Sequence, residues 1–375
     1  MQLVTDWFED LPYDQQPKWI RADLEFGPYK NQITHPCADP TSLCDVAAES
    51  KKRKSSLTTV ITSWNILHGQ QIPPNPQFAP NTPQKAKQLL TSAGETITKI
   101  SGKSLQQKNF VIALQEVDFN QPRTNFLNQS KLIAHGLTGV NKSQWFFVPT
   151  LVGTPGQRWR KVKPVQYFTN STKNLSELNN EDNLKEGTYG IAMITNVKVN
   201  AVYLKKLGRS LLGLPLLFPG SGSENERAGA KKSKNQPTKS QNRPRLIYVK
   251  DEPRIAMALE LANGLTVINT HLSFVPFVNL FQLAKISRWA KKLPGEKILV
   301  GDLNLPANLP SKLSSWISLV NQKTYPSWKP GIQFDYIMAR KSRLKNVKTK
   351  SGQQLNLQQL KISDHIPISV ELTLN

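Results

Sequence analysis

Short runs of β-branched and aliphatic residues recur along this chain, separated by polar stretches rich in Pro, Asn and Lys. Their lengths and composition predict strands at 58–65, 110–116, 145–149, 189–195, 254–261, 265–270, 298–302, 334–338 and 366–374. Apolar residues at helical spacing predict helices over about 85–101, 120–135 and 277–293, the last carrying Leu280, Leu283, Ala284, Ile286 and Trp289. Val197–Leu204 reads as a strand neighbouring 189–195. Asn263-Gly264 between two apolar runs fits a type I′ hairpin turn. Leu211–Phe218 is short and broken by Gly213 and Pro215, which favours a buried loop over a segment inserted at a membrane surface.

The polar residues that close these runs change the picture. Ile298–Val300 leads into Gly301-Asp302-Leu303-Asn304, placing a carboxylate and an amide two residues apart where a strand ends. Taken alone this is the composition of an Asx turn. Yet Asn65, Glu116 and His271 also close apolar runs, and Asp364-His365 stand where the last one opens. Five such junctions in one chain point to a site assembled at strand ends.

The residue types suit hydrolysis of a phosphate ester, which needs charge neutralisation, an oriented water and a protonated leaving oxygen. Glu116 with Asn65 and Asp364 offers the hard oxygen ligands that Mg2+ prefers, and Mn2+ can substitute for it. Asp302 can hold the attacking water. Asn304 and His271 can donate to phosphate oxygens, and His365 can move a proton or stabilise developing charge. Asp335 is suited to fix the tautomer of His365.

Composition narrows the partners. Lys and Arg number 49 against 26 Asp and Glu, a net charge of +23, which draws polyanions: nucleic acid, anionic headgroups or small phosphorylated molecules. From Arg227 to Lys250 there are eight basic residues and no acidic one, so 220–245 reads as a basic insertion. Residues 1–56, ending in Lys51-Lys52-Arg53-Lys54, read as an N-terminal extension and linker before a domain at 57–375. The two cysteines, Cys37 and Cys44, both lie in that extension, which excludes a disulfide scaffold or Cys-based zinc site in the domain. The N-terminus lacks an apolar signal-peptide core, and no apolar run has spanning length, so a cytoplasmic monomer is the expectation, with membrane contact the lesser one.

Trp64-Asn65, Gln115-Glu116, Thr270-His271-Leu272, Gly301-Asp302-Leu303-Asn304, Phe334-Asp335-Tyr336 and Ser363-Asp364-His365 occur in the order and approximate spacing of the endonuclease/exonuclease/phosphatase superfamily. The chain resembles that superfamily, which includes deoxyribonuclease I, abasic-site endonucleases, neutral sphingomyelinases and inositol-polyphosphate 5-phosphatases, from about residue 58 to 373. Pro253-Arg254, His271-Leu272-Ser273-Phe274 and Tyr325-Pro326-Ser327-Trp328 are similar to actinobacterial members.

The resemblance implies an α/β fold, a four-layered α/β sandwich of two packed, mainly antiparallel sheets flanked by helices. It implies a divalent-metal phosphoesterase with Glu116 as chief metal ligand and Asn65 on metal or phosphate. Asp302 would orient the nucleophile, Asn304 hold phosphate, and His365 with Asp335 assist hydrolysis. Arg254 looks like the family's phosphate-contacting Arg, and His271 tilts away from the abasic-site branch. Nucleic acid is the leading expected substrate. A phospholipid phosphodiesterase and an inositol or nucleotide phosphatase are the alternatives, and a polyanion-binding protein without catalysis is the reading from another class.

Overall fold

The computed structural model describes residues 58–71, 82–101, 105, 108–137, 143–162, 186–210, 213–218, 245–341, 347–351 and 360–374. The expected extension at 1–56 and nearly all of the 220–245 insertion lie outside these residues. Strand β1 (Thr58–Asn65) is followed by a 3-10 turn at Leu67–Gly69, then by α1 (Pro83–Ile100) and β2 (Asn109–Phe119). Thr82 caps α1 by accepting the Lys85 N–H, and Pro83 opens the helix, where its missing donor costs nothing. The stretch expected to be helical over 120–135 is a 3-10 turn at Pro122–Thr124 followed by the short helix α2 (Gln129–His135). Pro122, and Asn125 at φ 57°, break the helical path between them.

β3 (Gln144–Gly153), β4 (Trp159–Lys161) and β5 (Thr188–Thr195) follow, then β6 (Val199–Gly208). Contrary to the sequence expectation, β6 does not pair with β5; it joins β9 in the other sheet. β7 (Leu214–Phe218) pairs with β8 (Arg245–Val249) as a separate two-stranded ribbon, so the stretch expected as a loop ends in a strand. β9 (Arg254–Leu261) and β10 (Leu265–His271) form the expected hairpin, but by a different turn. The Gly264 N–H donates to Leu261 O, and only Gly264 of the three connecting residues has positive φ, 89°. A type I′ turn needs positive φ at two central positions, so this is the three-residue loop with a left-handed glycine.

α3 (Val278–Lys292), β11 (Glu296–Asp302), the one-turn helix α4 (Leu309–Leu313) and β12 (Trp316–Ser318) come next. β13 (Asp335–Arg340), β14 (Val347–Ser351) and β15 (Ile368–Leu374) complete the chain.

Two sheets result. One has seven strands in the order β14-β15-β1-β2-β5-β3-β4, the other six in the order β12-β13-β11-β10-β9-β6. Pairing is antiparallel except for β1 with β2 and β10 with β11, each a parallel pair at the centre of its sheet joined through a helix. The sheets face each other across a core of Ile61, Val111, Met193, Met257, Val267, Val300, Ile337 and Val370, all essentially solvent-free. α1 and α2 cover the outer face of the first sheet, with Leu90, Ile97 and Ile133 buried; α3 covers the second with Leu283 and Ile286. This is the expected four-layered sandwich.

Candidate active site

The site lies where the two parallel pairs end. In the seven-stranded sheet β1 finishes at Asn65, opposite Gln115 of β2; in the six-stranded sheet β10 finishes at His271, opposite Asp302 of β11. Parallel strands point the same way, so both members of each pair deliver their last residues to one edge. Gly301 lets β11 reach that edge: its φ is 139°, and a Cβ there would stand 1.9 Å from Thr270 O. β13 enters alongside with Asp335 registered on Asp302, and Asp364-His365 precede β15 beside β1.

Glu116 does not close a strand, as the sequence suggested. β2 runs on to Phe119, and its register against β5 shifts between Leu114 and Val117. Glu116 sits in this bulge at φ 55°, which turns its side chain out of the alternation and toward the site. Asn269 of β10 crosses the core to support the bulge. Its amide donates to Leu114 O (3.0 Å) and Ala192 O (2.9 Å), and its Oδ1 accepts from Gln115 Nε2 (2.8 Å). Asn269 and Gln115 are both fully buried; Gln115 stood in the sequence only as the neighbour of Glu116, and Asn269 was passed over. The available signal was a polar residue in the middle of the apolar run Leu265–Thr270.

Asn65 joins the two sheets. Its Nδ2 donates to Glu116 Oε1 and to Asp302 Oδ2, each at 3.0 Å, while its Oδ1 accepts the Leu67 N–H at 3.1 Å. Asp302 Oδ2 also lies 3.6 Å from His271 Nε2 and 3.7 Å from His365 Nε2, and it is 1% exposed. Burial, with Asp335 adding to it against the opposing pull of His365, pushes the Asp302 carboxyl up to about 6. His365 donates from Nδ1 to Asp335 Oδ2 at 2.7 Å. Burial works against its charge, but the carboxylates of Asp335, Asp302 and Asp364 outweigh that and raise it to about 10. His365 is therefore an imidazolium at neutral pH.

His271 is the opposite case. Burial, then the nearby Arg254 and His365 charges, hold it well below its ordinary value, so it is neutral and its approach to Asp302 is no ion pair. The Asn304 amide donates to Leu272 O (3.0 Å) and lies 3.2 Å from His271 Nε2, which makes Nε2 the acceptor and places the proton on Nδ1. Asn304 is left-handed (φ 49°), and its backbone N–H bonds Asp302 Oδ1 at 3.0 Å. The Asx turn and the functional grouping are thus the same structure.

Asp364 is held through its backbone, with its carbonyl accepting the Ser327 N–H at 2.7 Å, while Oδ1 is buried without a hydrogen-bond partner. Its carboxyl rises to about 6 through burial, offset by His365 and reinforced by Glu116. Glu116 is itself raised by burial, against its Asn65 hydrogen bond, with Glu252 and Asp302 adding to the rise. Glu252 was not anticipated from sequence; it is raised in turn by burial, and its Oε2, like Asp335 Oδ1, is buried without a hydrogen-bond partner. Arg254, 5% exposed, lies 3.6 Å from Asp251 Oδ1.

Among the described residues, one group of acidic and imidazole side chains brings its potential ligand atoms within 4.8 Å of one another: Asp302, Asp335 and His365. His365 is a poor member of such a set, because its Nδ1 already carries a proton bonded to Asp335. The other acids suit a hard cation better. The Glu116 carboxylate adds to the rise at Asp364, and the free Asp364 Oδ1 lacks the partner that a divalent ion would supply. The residues fit such an ion on that side.

A two-sheet α/β sandwich with this grouping at one edge defines a phosphoester hydrolase of the DNase I-like type. The chain belongs to the Endonuclease/Exonuclease/phosphatase family, whose profile matches residues 62–365. A comparison with curated proteins finds no match. Among solved structures, the chain is similar to an endonuclease/exonuclease/phosphatase from Bacteroides vulgatus, at 12% identity over 85% of this chain and 99% of that one, TM-score 0.46. A family protein from Leptotrichia buccalis gives 13% identity over 84% and 99%, TM-score 0.45. The human Nocturnin catalytic domain with bound sulfate gives 13% over 85% and 95%, TM-score 0.42.

Proposed function

We propose that the protein is a Mg2+-dependent phosphodiesterase that hydrolyses nucleic acid by in-line attack of water. The observation that carries this reading is Asn65 Nδ2 bonding Glu116 and Asp302 at once, which fixes a metal-side acid and a proton-side acid next to each other. Glu116 and Asp364 would hold the cation, which supplies charge neutralisation at the phosphate when bound. Asp302, poised at about 6 by burial and its neighbours, orients and deprotonates the water. The His365 imidazolium, anchored by Asp335, faces the charge that develops on phosphate oxygens. Asn304 holds neutral His271 in one tautomer beside the phosphate, and buried Arg254 contributes the fixed positive charge behind it. The net charge of +23 supports a polyanionic substrate over a small phosphomonoester.

The test is hydrolysis of supercoiled plasmid, single-stranded DNA, RNA, sphingomyelin and phosphoinositides with Mg2+, by wild type and Asp302→Ala. Cleavage of nucleic acid that is lost with chelator and in the variant is the expected result. Turnover of lipid alone would transfer the assignment to a phospholipid phosphodiesterase. Inactivity on every substrate would leave a polyanion-binding protein.

A further inference from the structure

We infer that a groove between α3 and α4 is a docking track for single-stranded polynucleotide leading away from the active site. This rests on the nucleic-acid reading above and assigns that substrate a second point of contact. Positions 281, 284, 288 and 291 fall on one face of α3 by their spacing of three and four, and Phe277 stands at its N-terminal cap. Phe277 and Phe281 open this stripe at 65% and 56% exposure, and Leu313 of α4 stands opposite at 58%. Large apolar side chains this exposed on a folded surface mark a contact site when they cluster. Here they cluster around a groove of about 680 Å3 floored by Leu280 and Leu283.

The other end of the groove is cationic. Lys291, Lys312 and Lys341 are exposed along it, Arg288 and Arg340 add to them, and no acidic residue lines it. Aromatic faces followed by a row of cations match a strand whose bases stack and whose phosphates need neutralising. A bilayer is flat and would meet only the rim of a groove, and its cations would flank the apolar face rather than follow it in series. The N-terminal end of α3, where Phe277 stands, adjoins the catalytic edge: on the helix face turned away from the groove, Asn279 donates to Asn304 O at 2.9 Å. From Phe277 to Lys291 α3 extends ~20 Å at about 1.5 Å per residue, room for roughly six stacked nucleotides at ~3.4 Å each.

The experiment is binding of labelled oligonucleotides of 4, 8 and 16 residues in the presence of chelator, across a salt series. The proteins are wild type, Phe277→Ala/Phe281→Ala and Lys291→Gln/Lys312→Gln/Lys341→Gln; phosphatidylserine vesicles are the parallel probe. The expected result is affinity that rises from 4 to 8 residues and falls about tenfold or more in the Phe variant. The Lys variant should flatten the salt slope by about 0.7 per lost phosphate contact. Unchanged affinity and slope in both variants would overturn the inference, as would capture of vesicles in preference to oligonucleotides. Metal-supported hydrolysis of bis(p-nitrophenyl) phosphate, too small to reach the groove, is measured on the same three proteins. Its retention with unaltered oligonucleotide binding refutes the groove alone, whereas its absence in wild type refutes the phosphodiesterase reading independently.

Discussion

The two sheets solve one structural problem in different ways. Each holds a central parallel pair flanked by antiparallel strands, and each delivers functional groups to the same edge. In the six-stranded sheet both strands of the pair stop flush, His271 against Asp302, and a nitrogen and an oxygen group meet there. In the seven-stranded sheet only β1 stops, and β2 continues through a bulge that turns Glu116 outward at φ 55°. The flush edge is set by chain direction and by Gly301, which lets β11 run close against Thr270. The bulge leaves ladder groups unpaired inside the core, and it persists because Asn269 of the opposite sheet satisfies Leu114 O and Ala192 O. The side proposed to bind metal is therefore held in place by the sheet that carries the proposed proton-handling groups.

Four substitutions break or sharpen this division. Asp302→Asn removes the carboxylate proposed to orient the water but keeps its shape and the Asn304 turn. Turnover should fall about 10^3-fold, read as kcat on a soluble phosphodiester, with the urea midpoint nearly unchanged. Asn269→Leu should be the largest stability loss, about 3 kcal/mol, because two buried carbonyls and the Gln115 amide lose their partner. Urea unfolding measures it, and a raised Mg2+ requirement in the surviving folded protein would show that the bulge had moved. Asp335→Asn deprives His365 of its main charged partner and should lower turnover by roughly 10- to 100-fold. An NMR titration of the His365 ring should show its pKa falling toward the ordinary histidine value.

The smallest effect lies away from both sheets' edges, at His68. Burial first, then the Arg123 charge, outweighs its Gln70 hydrogen bond and lowers it from 6.5 to about 3. Unfolding returns it to its ordinary value, so the unfolded chain binds the proton that the folded one refuses. This contribution is complete above about pH 6.5 and is lost progressively as pH falls toward 3. Between pH 7 and 5 the loss should be about 2 kcal/mol, measured by urea unfolding, and His68→Gln should show a smaller acid dependence.

What the sequence made legible follows the same division. Asn65, His271 and Asp302 stand at ends of apolar runs, so composition and period exposed them directly. The sheet order was not visible, because Val199–Gly208 has the same period whether it pairs with β5 or with β9; only packing decides. Glu116 was found through its residue type but misplaced as a strand end, since a bulge adds one residue without altering the apolar pattern. Asn269 escaped because its partner is distant in sequence: it meets Leu114 across 155 residues. The turn at Gly264 shows the same limit on a small scale, as Asn-Gly permits either turn and strand length selects one.

The most direct test of the division is calorimetric titration of Mg2+ and Mn2+ into wild type, Glu116→Gln and Asp302→Asn, alongside hydrolysis of bis(p-nitrophenyl) phosphate. The account predicts that Glu116→Gln weakens metal binding strongly, while Asp302→Asn binds metal as wild type does and fails in turnover. Loss of metal in Asp302→Asn with retention in Glu116→Gln would contradict it, and would place the ion among Asp302, Asp335 and His365 instead.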